Sequence, residues 1–252
     1  MHIMNVEISE ILGAFTGDGW ITSSLKSLYI TGNSSEEREY YDYFLGPLFS
    51  KHFSKVTPKE FIDWKVYGIG CHKSKIISKC LSLGFQSGPK ALVAKTPHSI
   101  YNSQNKEIKI AFIRGFFDTD GSIWFDKSRA KTTISHWKKK YHYSPRITLG
   151  SCSKILLEQI QIMLTQLNIN SKLRQSAKKG RKCNRNINNF YVLIIQKKED
   201  ILTWIETIGT NNPRHQTRID VWKIHGFLPP RTRFLQRKLI LSEKLDPYSI
   251  YV

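Results

Sequence analysis

Two apolar segments of the chain each end in an aspartate that is followed by a glycine. The first is ILGAFTGDG at residues 11–19, and the second is IRGFFDTDG at residues 113–121. If both segments are helices that lie side by side, Asp18 and Asp120 come close together. Two such carboxylates repel each other unless a cation lies between or beside them. Mg²⁺ suits an oxygen-rich site of one or two carboxylates completed by water and phosphate oxygens, so the pair is a candidate metal site.

The two segments also match each other position by position, at a constant offset of 102 residues. A glycine inside a helix costs about 1 kcal/mol relative to alanine, so its repeated presence needs a reason. Small residues four positions apart share one face of a helix and allow another backbone to approach closely. We therefore predict that the two helices pack through their small residues, which are Gly13, Gly17, Gly115 and Thr119.

The elements that must hold these helices repeat as well. After Asp18, alternating residues predict two strands with a turn near Ser24 to Lys26, then a helix, further strand structure and a last helix ended by Gly84. After Asp120 the same order returns, so both halves are predicted to run helix, strand, strand, helix, strand, strand, helix. A duplication of about 100 residues predicts two half-domains related by a pseudo-two-fold axis.

The predicted division is a first half-domain at residues 1–100, a second at 101–226 and a C-terminal extension at 227–252. The extension carries Pro229 and Pro230, followed by basic and apolar residues. It either packs on the core or crosses the backbone of a bound nucleic acid, and the sequence leaves both placements open.

The overall charge of the chain indicates a polyanionic partner. Its 252 residues include 39 Lys and Arg against 20 Asp and Glu, a net charge of +19, and such a surface attracts nucleic acids or anionic membranes. A membrane is disfavoured because no run of about 18 apolar residues occurs. The cysteines match no zinc-binding spacing, and the first residues lack the features of a secretion signal. We therefore expect an intracellular protein, in the cytoplasm or an organelle, with reduced thiols.

The paired segments, the repeated order of elements and the basic charge resemble the LAGLIDADG homing endonucleases of the monomeric, two-motif type. The resemblance covers almost the whole chain, although Thr16 stands where many family members have an acid. It implies an α+β fold of two αββαββα half-domains, each with a curved antiparallel sheet, that together form a DNA-binding saddle. It also implies a monomer with internal pseudo-dimer symmetry.

The resemblance implies a reaction as well. Asp18 and Asp120 would be catalytic residues that bind two or three Mg²⁺ ions, with Gly17 and Thr119 beside them in the metal site. The ions would activate water and hold the scissile phosphates. One phosphodiester in each strand of a long, asymmetric DNA site would be hydrolysed, leaving 3′ overhangs. Ca²⁺ is expected to support binding but little cleavage.

Members of this family also place a basic residue near each metal site. In the first half the segment GPKALVAKTPHSI offers Lys90 and Lys95, and the spacing favours Lys95. In the second half Arg214 is favoured among four basic candidates, the others being His215, Arg218 and Lys223. Asn33 and Ser151 stand where the family often has a residue that orders water, although such residues are also frequent helix caps.

In a saddle, alternate residues of each strand would face the major groove of a bound duplex. Tyr29 and Tyr67 are expected on that face of the first sheet, and the loop with Lys179 and Arg181 is expected to contact phosphates. The predicted DNA-binding residues are Lys26, Lys65, Lys127, Arg146, Lys172, Arg174, Gln175, Lys179 and Arg181.

Two other functions fit the same fold. An intron-encoded RNA maturase would bind its host intron RNA and assist splicing, either instead of cutting DNA or in addition to it, and a transcription regulator would only bind DNA. The presence of both Asp18 and Asp120 favours cleavage, because binding alone does not require them. An intein origin is disfavoured, since the sequence shows no splicing-type Cys or Ser start and no C-terminal His-Asn pair.

Overall fold

The computed structural model describes residues 4–127, 141–176 and 189–251. The helices of the first half are α1 Val6–Asp18, α2 Arg38–Tyr40, α3 Gly46–His52, α4 Ser74–Ser82 and α5 His98–Tyr101, with a π-helical stretch Tyr41–Leu45 joining α2 to α3. The later helices are α6 Lys106–Asp120, α7 Lys154–Gln166, α8 Lys198–Thr207, α9 Pro213–His225 and α10 Phe234–Leu241. Short 3₁₀ helices occupy Ile62–Trp64 and Ser249–Tyr251.

Each half of the chain contributes one four-stranded antiparallel sheet. The strands of the first sheet are β1 Gly19–Ile21, β2 Leu28–Asn33, β3 Lys59–Phe61 and β4 Val66–Cys71. Those of the second are β5 Gly121–Asp126, β6 Ser144–Ser151, β7 Lys172–Ser176 and β8 Phe190–Ile195. The order across the sheets is β1-β2-β4-β3 and β5-β6-β8-β7, so the two sheets have the same topology. The predicted α+β fold with two repeated halves is confirmed.

The helices α1 and α6 begin in the same way and pack against each other along their length. Asn5 caps α1 by accepting a hydrogen bond from the amide of Ile8, and Asn105 caps α6 by accepting one from the amide of Glu107. Each helix ends at an aspartate, and the following glycine starts a strand. The paired helices therefore deliver both chain segments to the start of their sheets.

The contact between α1 and α6 is one of backbone against backbone. A methyl group placed on Gly13 would fall on the carbonyl of Phe112 and lie 2.9 Å from the amide nitrogen of Phe116. A methyl group placed on Gly115 would fall on the carbonyl of Glu10 and lie 2.9 Å from the amide nitrogen of Ala14. The two sets of contacts differ by the offset of 102 that relates the segments, so the contact has pseudo-two-fold symmetry.

The hydrophobic core lies between the helices and one face of each sheet. In the second sheet, Ile123, Ile147 and Ile195 are paired across β5, β6 and β8 and all are buried. In the first sheet, Leu28 and Ile30 of β2 are completely buried. The other face of each sheet carries half-buried and exposed residues, as alternation along a strand requires. Among the described residues, no helix is both long enough and apolar enough to cross a membrane.

The C-terminal extension packs on the core, which is one of the two placements that the sequence leaves open. Helix α10 lies against α9. The guanidinium of Arg237 is completely buried there, and it donates to the carboxylate of Glu36 at 3.0 Å and to the hydroxyl of Thr217 at 3.0 Å. Phe234 adds a backbone bond to the other oxygen of Glu36, at 2.8 Å. The extension is therefore tied to both halves of the chain.

Replacement of Gly13 or Gly115 by alanine should destabilise the protein. The added methyl group meets backbone atoms, which cannot move aside as a flexible side chain can. We expect the free energy of unfolding to fall by about 2 kcal/mol for each variant because of the steric overlap. This is the opposite of the change that helix propensity predicts, since alanine favours a helix over glycine by about 1 kcal/mol. Urea denaturation measures the change.

The matched control is Thr165→Ala, an exposed position of α7 that takes no part in the contact between Gly13 and Gly115 and the facing backbones. Alanine has the higher helix propensity, so this variant should be as stable as the wild type or slightly more stable. Wild-type stability in Gly13→Ala and Gly115→Ala would show that the two helices do not meet through these residues.

Candidate active site at the paired helix ends

Asp18 and Asp120 are the last residues of α1 and α6, and the structure brings these two helix ends together. A methyl group placed on Gly17 would lie 3.3 Å from the carboxyl carbon of Asp120 and 3.1 Å from the Cβ atom of Thr119. Only a residue without a side chain fits at Gly17. Thr119 itself is buried, and its hydroxyl donates to the carbonyls of Gly115 and Phe116 at 3.2 and 3.1 Å.

The two carboxyl groups raise the cost of each other's ionisation. Burial raises the pKa of Asp18 most, and the charges of Asp120 and Glu37 raise it further. Loss of hydration also raises the pKa of Asp120, which is partly open to solvent. The charge of Lys90 opposes this effect, and that of Glu37 adds to it. The site therefore has more negative charge than its surroundings neutralise, and a cation would be stabilised there.

Lys90 is the basic residue that the structure places at the end of α1. Its ammonium group donates to the carbonyl oxygens of Thr16 and Gly17, at 2.6 and 2.7 Å, and also to that of Phe15. A helix C-terminus carries partial negative charge, so it favours a cation. Burial lowers the pKa of Lys90 to about 8, against the opposing charges of Asp120 and Asp18.

Lys95, which the spacing favours, has a different position. Its side chain is exposed. Its two neighbours bind the second half of the chain, because Ala94 accepts a hydrogen bond from Ser153 and Thr96 donates to Gln159 at 2.8 Å. Among the described residues, the structure gives Lys95 no contact with either aspartate. Lys90, and not the Lys95 that the spacing favours, contacts the end of α1, because of the path that the loop after α4 takes.

Arg214, at the start of α9, lies near enough to Asp18 to act on its charge. Its positive charge lowers the pKa of that carboxyl group, against the larger effects that raise it. The guanidinium donates to Glu37 at 3.0 Å, and Glu37 is buried. The same carboxylate accepts a hydrogen bond from the side-chain amide of Asn212 at 3.0 Å and another from the backbone N–H of Asn33 at 2.6 Å. Glu37 of the first half therefore fixes a basic residue of the second half.

The loop that carries Arg214 is bound to the paired helices. Asp118 of α6 is completely buried and accepts from the amide of Asn211 at 2.9 Å and from the hydroxyl of Thr210. The side chain of Asn212 donates to the carbonyl of Asp118 at 2.7 Å, and its oxygen caps α9. Because α9 begins at this point, the position of Arg214 is determined by the end of α6.

The sequence does not single out Glu37 or Asp118 as residues of the site, and its spacing ranks Lys90 below Lys95. Glu37 follows the stretch NSSE, which predicts only the start of a helix. Asp118 lies two residues before Asp120 and belongs to the same segment, but nothing in the segment distinguishes a buried acid from an exposed one. For Lys90, the nearest signal in the sequence is the repeat itself. The segments that follow α4 and α8 hold equivalent places in the two halves, and each carries basic residues.

Asn33 and Ser151 both cap turns. The side chain of Asn33 accepts from the amides of Ser35 and Glu36, at 2.9 and 3.0 Å. The hydroxyl of Ser151 accepts from the amide of Ser153 at 3.0 Å. The two residues hold equivalent places at the ends of β2 and β6, and capping accounts for the contacts that the structure gives them.

The residues present fit a divalent cation held mainly by oxygen atoms. Asp18 and Asp120 are two carboxylates with raised pKa, and the carbonyl of Gly17 already binds a cationic group, the ammonium of Lys90. Within residues 4–127, 141–176 and 189–251, no three His, Cys, Asp or Glu side chains converge on one point. A metal here would therefore keep several water or phosphate ligands, which is the habit of Mg²⁺.

The open face of the second sheet carries three of the predicted DNA-binding residues, Arg146, Lys172 and Arg174. Directly opposed residues of antiparallel strands share a face, so Ser122, Thr148, Ile194 and Lys172 form one row. Arg174 lies in the next row, and Arg146 lies opposite Trp124, with its guanidinium 5.5 Å from the indole centre. Lys127 follows the end of β5, and in the first half Lys26 and Lys65 are exposed outside the strands.

Two residues predicted for the open faces lie on the other side. Gln175 is paired with Tyr191, next to Leu173 and Leu193, so it belongs to the helix-covered face. It is adjacent to Arg174 in sequence, and adjacent strand residues point in opposite directions. Tyr67 is buried, and its hydroxyl donates to Asp42 of the helical layer at 2.7 Å. Lys179 and Arg181 lie outside the described residues.

The open face of the first sheet is aromatic. Trp20 stacks on Tyr29, with ring centres 4.8 Å apart, and Trp64 stacks on Phe61 at 5.4 Å. Tyr29 and Trp64 meet edge to face at 5.3 Å. Their contacts are typical of aromatic clusters, but Trp64 remains 49% exposed. The open faces of the two sheets thus differ in chemistry.

Comparison with known proteins supports the class of protein that this arrangement defines. Residues 107–209 match the family of the LAGLIDADG-like domain. Mesophilic variants of the homing endonuclease I-DmoI match with a TM-score of 0.54 and 17% identity, over 82% of this chain and 92% of that one. I-DmoI in complex with DNA and Mn matches with a TM-score of 0.53 and 17% identity, over 81% and 98% of the two chains.

A curated relative covers most of the chain but is much longer. The replication factor C small subunit of Methanocaldococcus jannaschii is 26% identical over 220 residues, which are 83% of this chain and 10% of that protein. The chain therefore spans about a tenth of the length of that relative.

Two like halves, each with an aspartate at the end of a central helix, define a two-motif LAGLIDADG fold. Residues 107–209 match the LAGLIDADG-like domain family, and over 82% of its length the chain has the fold of the homing endonuclease I-DmoI. The resemblance predicted from the sequence is confirmed.

Replacement of Glu37 by glutamine should destabilise the protein and loosen Arg214. The amide keeps the shape of the side chain but removes the charge, so a half-buried guanidinium loses its partner. We expect the free energy of unfolding to fall by about 3 kcal/mol, measured by urea denaturation.

Glu60→Gln is the matched control, because it breaks the ion pair with Arg38, whose atoms are 2.6 Å apart but exposed. An exposed pair contributes less than about 1 kcal/mol. Equal losses for the two variants would contradict a structural role of Glu37 between the halves.

Proposed function

We propose that the protein is a site-specific endonuclease that hydrolyses one phosphodiester in each strand of a DNA duplex with the help of divalent ions. The main support is the meeting of Asp18 and Asp120 at the ends of α1 and α6, on the pseudo-two-fold axis of the contact between the helices. The two strands of a duplex are related by two-fold axes. A chain with two like half-sites on one axis can therefore act on both strands.

The metal would be held by Asp18, Asp120 and the carbonyl groups beside them, at Gly17 and Thr119. When bound, Mg²⁺ would supply charge neutralisation at the phosphate and a more acidic water molecule. I-DmoI structures were determined with DNA and Mn, with DNA and Ca, and with target DNA in the presence of Mg. These relatives favour divalent ions and a DNA partner for this chain as well.

The two half-sites would differ in their basic residue. Lys90, with a pKa lowered to about 8, remains mostly protonated at neutral pH and can donate a proton to a leaving oxygen more readily than an ordinary lysine. Arg214 offers a planar fork of donors to a phosphate. Both would stabilise the negative charge that develops during hydrolysis.

The different open faces of the sheets support a long, asymmetric target. Lys172, Arg174 and Arg146 can offer hydrogen bonds to base edges or phosphates on one side. The first sheet has an aromatic cluster instead, with Lys26 and Lys65 at its margins. Because both half-sites belong to one chain, we infer that the protein acts as a monomer. By the family resemblance, the cut ends would carry 3′ overhangs.

Binding without cleavage explains the site less well. A maturase or a regulator would gain nothing from two carboxyl groups held close together. Their burial and proximity make ionisation of these groups less favourable. An enzyme that uses a divalent cation does gain from it, because the cation removes that cost.

Replacement of Asp18 or Asp120 by asparagine should abolish double-strand cleavage in Mg²⁺ and leave DNA binding in place. The carboxylates serve the chemistry, whereas affinity comes mainly from contacts with phosphates. Cleavage of a randomised duplex library, read by sequencing of the ends formed, measures the first effect, and a mobility-shift titration measures the second.

The control for these variants is Glu206→Gln, which removes one exposed carboxylate from α8 and should cleave as the wild type does. Double-strand cleavage at the wild-type rate by either aspartate variant would refute its assignment. If the wild type bound a structured RNA tightly and a duplex weakly, the maturase function would replace the endonuclease.

Replacement of Lys90 by methionine should slow cleavage far more than the same replacement of Lys95. Both variants lose one positive charge from the same loop, but only Lys90 contacts the end of α1. We expect a loss of about 100-fold for Lys90→Met, the scale of general acid catalysis, and little change for Lys95→Met. Single-turnover cleavage at saturating protein separates this loss from any change in binding. The reverse order would restore Lys95 as the catalytic residue.

A further inference from the structure

The C-terminal extension brings additional arginines to the edge of the candidate active site. An open cavity of about 330 Å³ lies between the end of β2, the start of α9 and the segment that precedes α10. Its lining residues are Asn33, Glu36, Arg214, Arg218, Arg231, Thr232 and Arg233. Four of these seven are arginines, and two of the four belong to the extension.

The acids at this cavity are already occupied. Glu37 accepts from Arg214, as described above, and Glu36 accepts from Arg237 and from the amide of Phe234. In the part of the chain that the structure describes, no carboxylate lies within ion-pair distance of Arg218, Arg231 or Arg233. Three positive charges therefore share one cavity and, among the described residues, none of them has an ion pair of its own, because the nearby Glu36 is bonded to Arg237.

Arg218 is surrounded by other positive charges. Burial lowers the pKa of Arg218 most, and the charges of Arg237 and Arg214 lower it further, against the smaller opposing effects of Glu36 and Glu37. The guanidinium of Arg218 donates to the carbonyl of Ile123 at 3.0 Å, which fixes its position but does not neutralise it. An arrangement of this kind is costly in isolation and becomes favourable when an anion binds.

The backbone holds the extension arginines in place. Arg231 has a φ of 60°, in the left-handed region that is uncommon for residues other than glycine, asparagine and aspartate. The next residue is fixed by the bond from the hydroxyl of Thr232 to the carbonyl of Pro229, at 3.1 Å. The start of α10 is fixed by the bond from Phe234 to Glu36. Arg231 and Arg233 are thus held on an ordered segment rather than on a free tail.

The cavity lies on the same side of the molecule as the site. Arg218 is bonded to β5, the strand that begins directly after Asp120. Arg218 and Arg231 also line an adjacent cavity of about 360 Å³ together with Ser122 and Trp124, which belong to the open face of the second sheet. A polyanion lying on that face and reaching Asp120 would pass these arginines.

We propose that Arg218, Arg231 and Arg233 form a binding site for one backbone phosphate of the nucleic acid, beside the half-site of Asp120. Arginine suits this role because its planar fork of donors matches the oxygens of a phosphate. This inference rests on the proposed DNA-binding function. The extension follows only the second half of the chain, so the contact would be made on one side of the cut and not on the other.

The double variant Arg231→Ala/Arg233→Ala tests the phosphate site, with binding to a random-sequence duplex measured between about 50 and 200 mM salt. Loss of one phosphate contact should make the log–log salt dependence shallower by about one unit. Affinity at the low-salt end should fall about tenfold. Both side chains are exposed, so the thermal unfolding of the variant should match that of the wild type.

The matched control is Lys106→Ala/Lys244→Ala. It removes the same charge from two exposed positions, one at the opposite end of α6 and one beyond α10. If both variants shift the salt dependence equally, the arginines act only through net charge and the phosphate site is refuted. If the wild type itself fails to bind duplex DNA, the proposed function fails, which is a different outcome.

A second measurement locates the contact. On the duplex that the wild type selects from a random library, ethylation of single phosphates should reveal one position on the side of the second half where ethylation weakens the wild type about tenfold. The same ethylation should not weaken the Arg231→Ala/Arg233→Ala variant further. An unchanged ethylation pattern in the variant would refute the assignment even if its overall affinity fell.

Discussion

The close contact between α1 and α6 determines the rest of the molecule. Glycines at Gly13 and Gly115 let the two backbones touch, and every later element takes its position from the helix ends. Each sheet begins one residue after its aspartate, so the separation of the sheets and the separation of the carboxylates are set by the same contact. Two glycines inside helices lower helix stability, but they allow the close contact that brings the carboxylates together. Each half supplies one of these carboxylates, so neither half could form the site alone.

Charge around the helix ends is distributed unequally, although the backbone is close to symmetric. One side has the ammonium of Lys90 on the last carbonyls of α1, and the other has the guanidinium of Arg214 on the buried Glu37. The loop that holds Arg214 is bonded to Asp118 and thereby to α6 itself. A single hydrogen-bonded network therefore connects the first half, the second half and the C-terminal extension, through Glu36 and Glu37. The halves are coupled most tightly at the place where the aspartates lie.

The predictable features are those that a repeat makes visible. A constant offset relates Gly13 to Gly115 and Asp18 to Asp120, and helix periodicity then places both aspartates at one end of a shared contact. The strand order follows from alternating residues and short turns. The lysine at the site could not be chosen, because Lys90 and Lys95 belong to an irregular loop whose path depends on packing. Alternation shows that the adjacent Arg174 and Gln175 cannot share a face, and only the pairing of β7 with β8, which the sequence does not reveal, determines that Arg174 is the one on the open face.

The difference between the two open faces has an evolutionary consequence. Two identical subunits would have to present identical recognition surfaces, and any substitution would alter both halves of the target at once. In a duplicated chain, the aromatic cluster around Trp64 and the basic row at Lys172 and Arg174 are encoded separately. A substitution in one sheet leaves the other unchanged, so each half of the target can drift on its own. Only the helix contact, which both halves share, must be conserved as a pair.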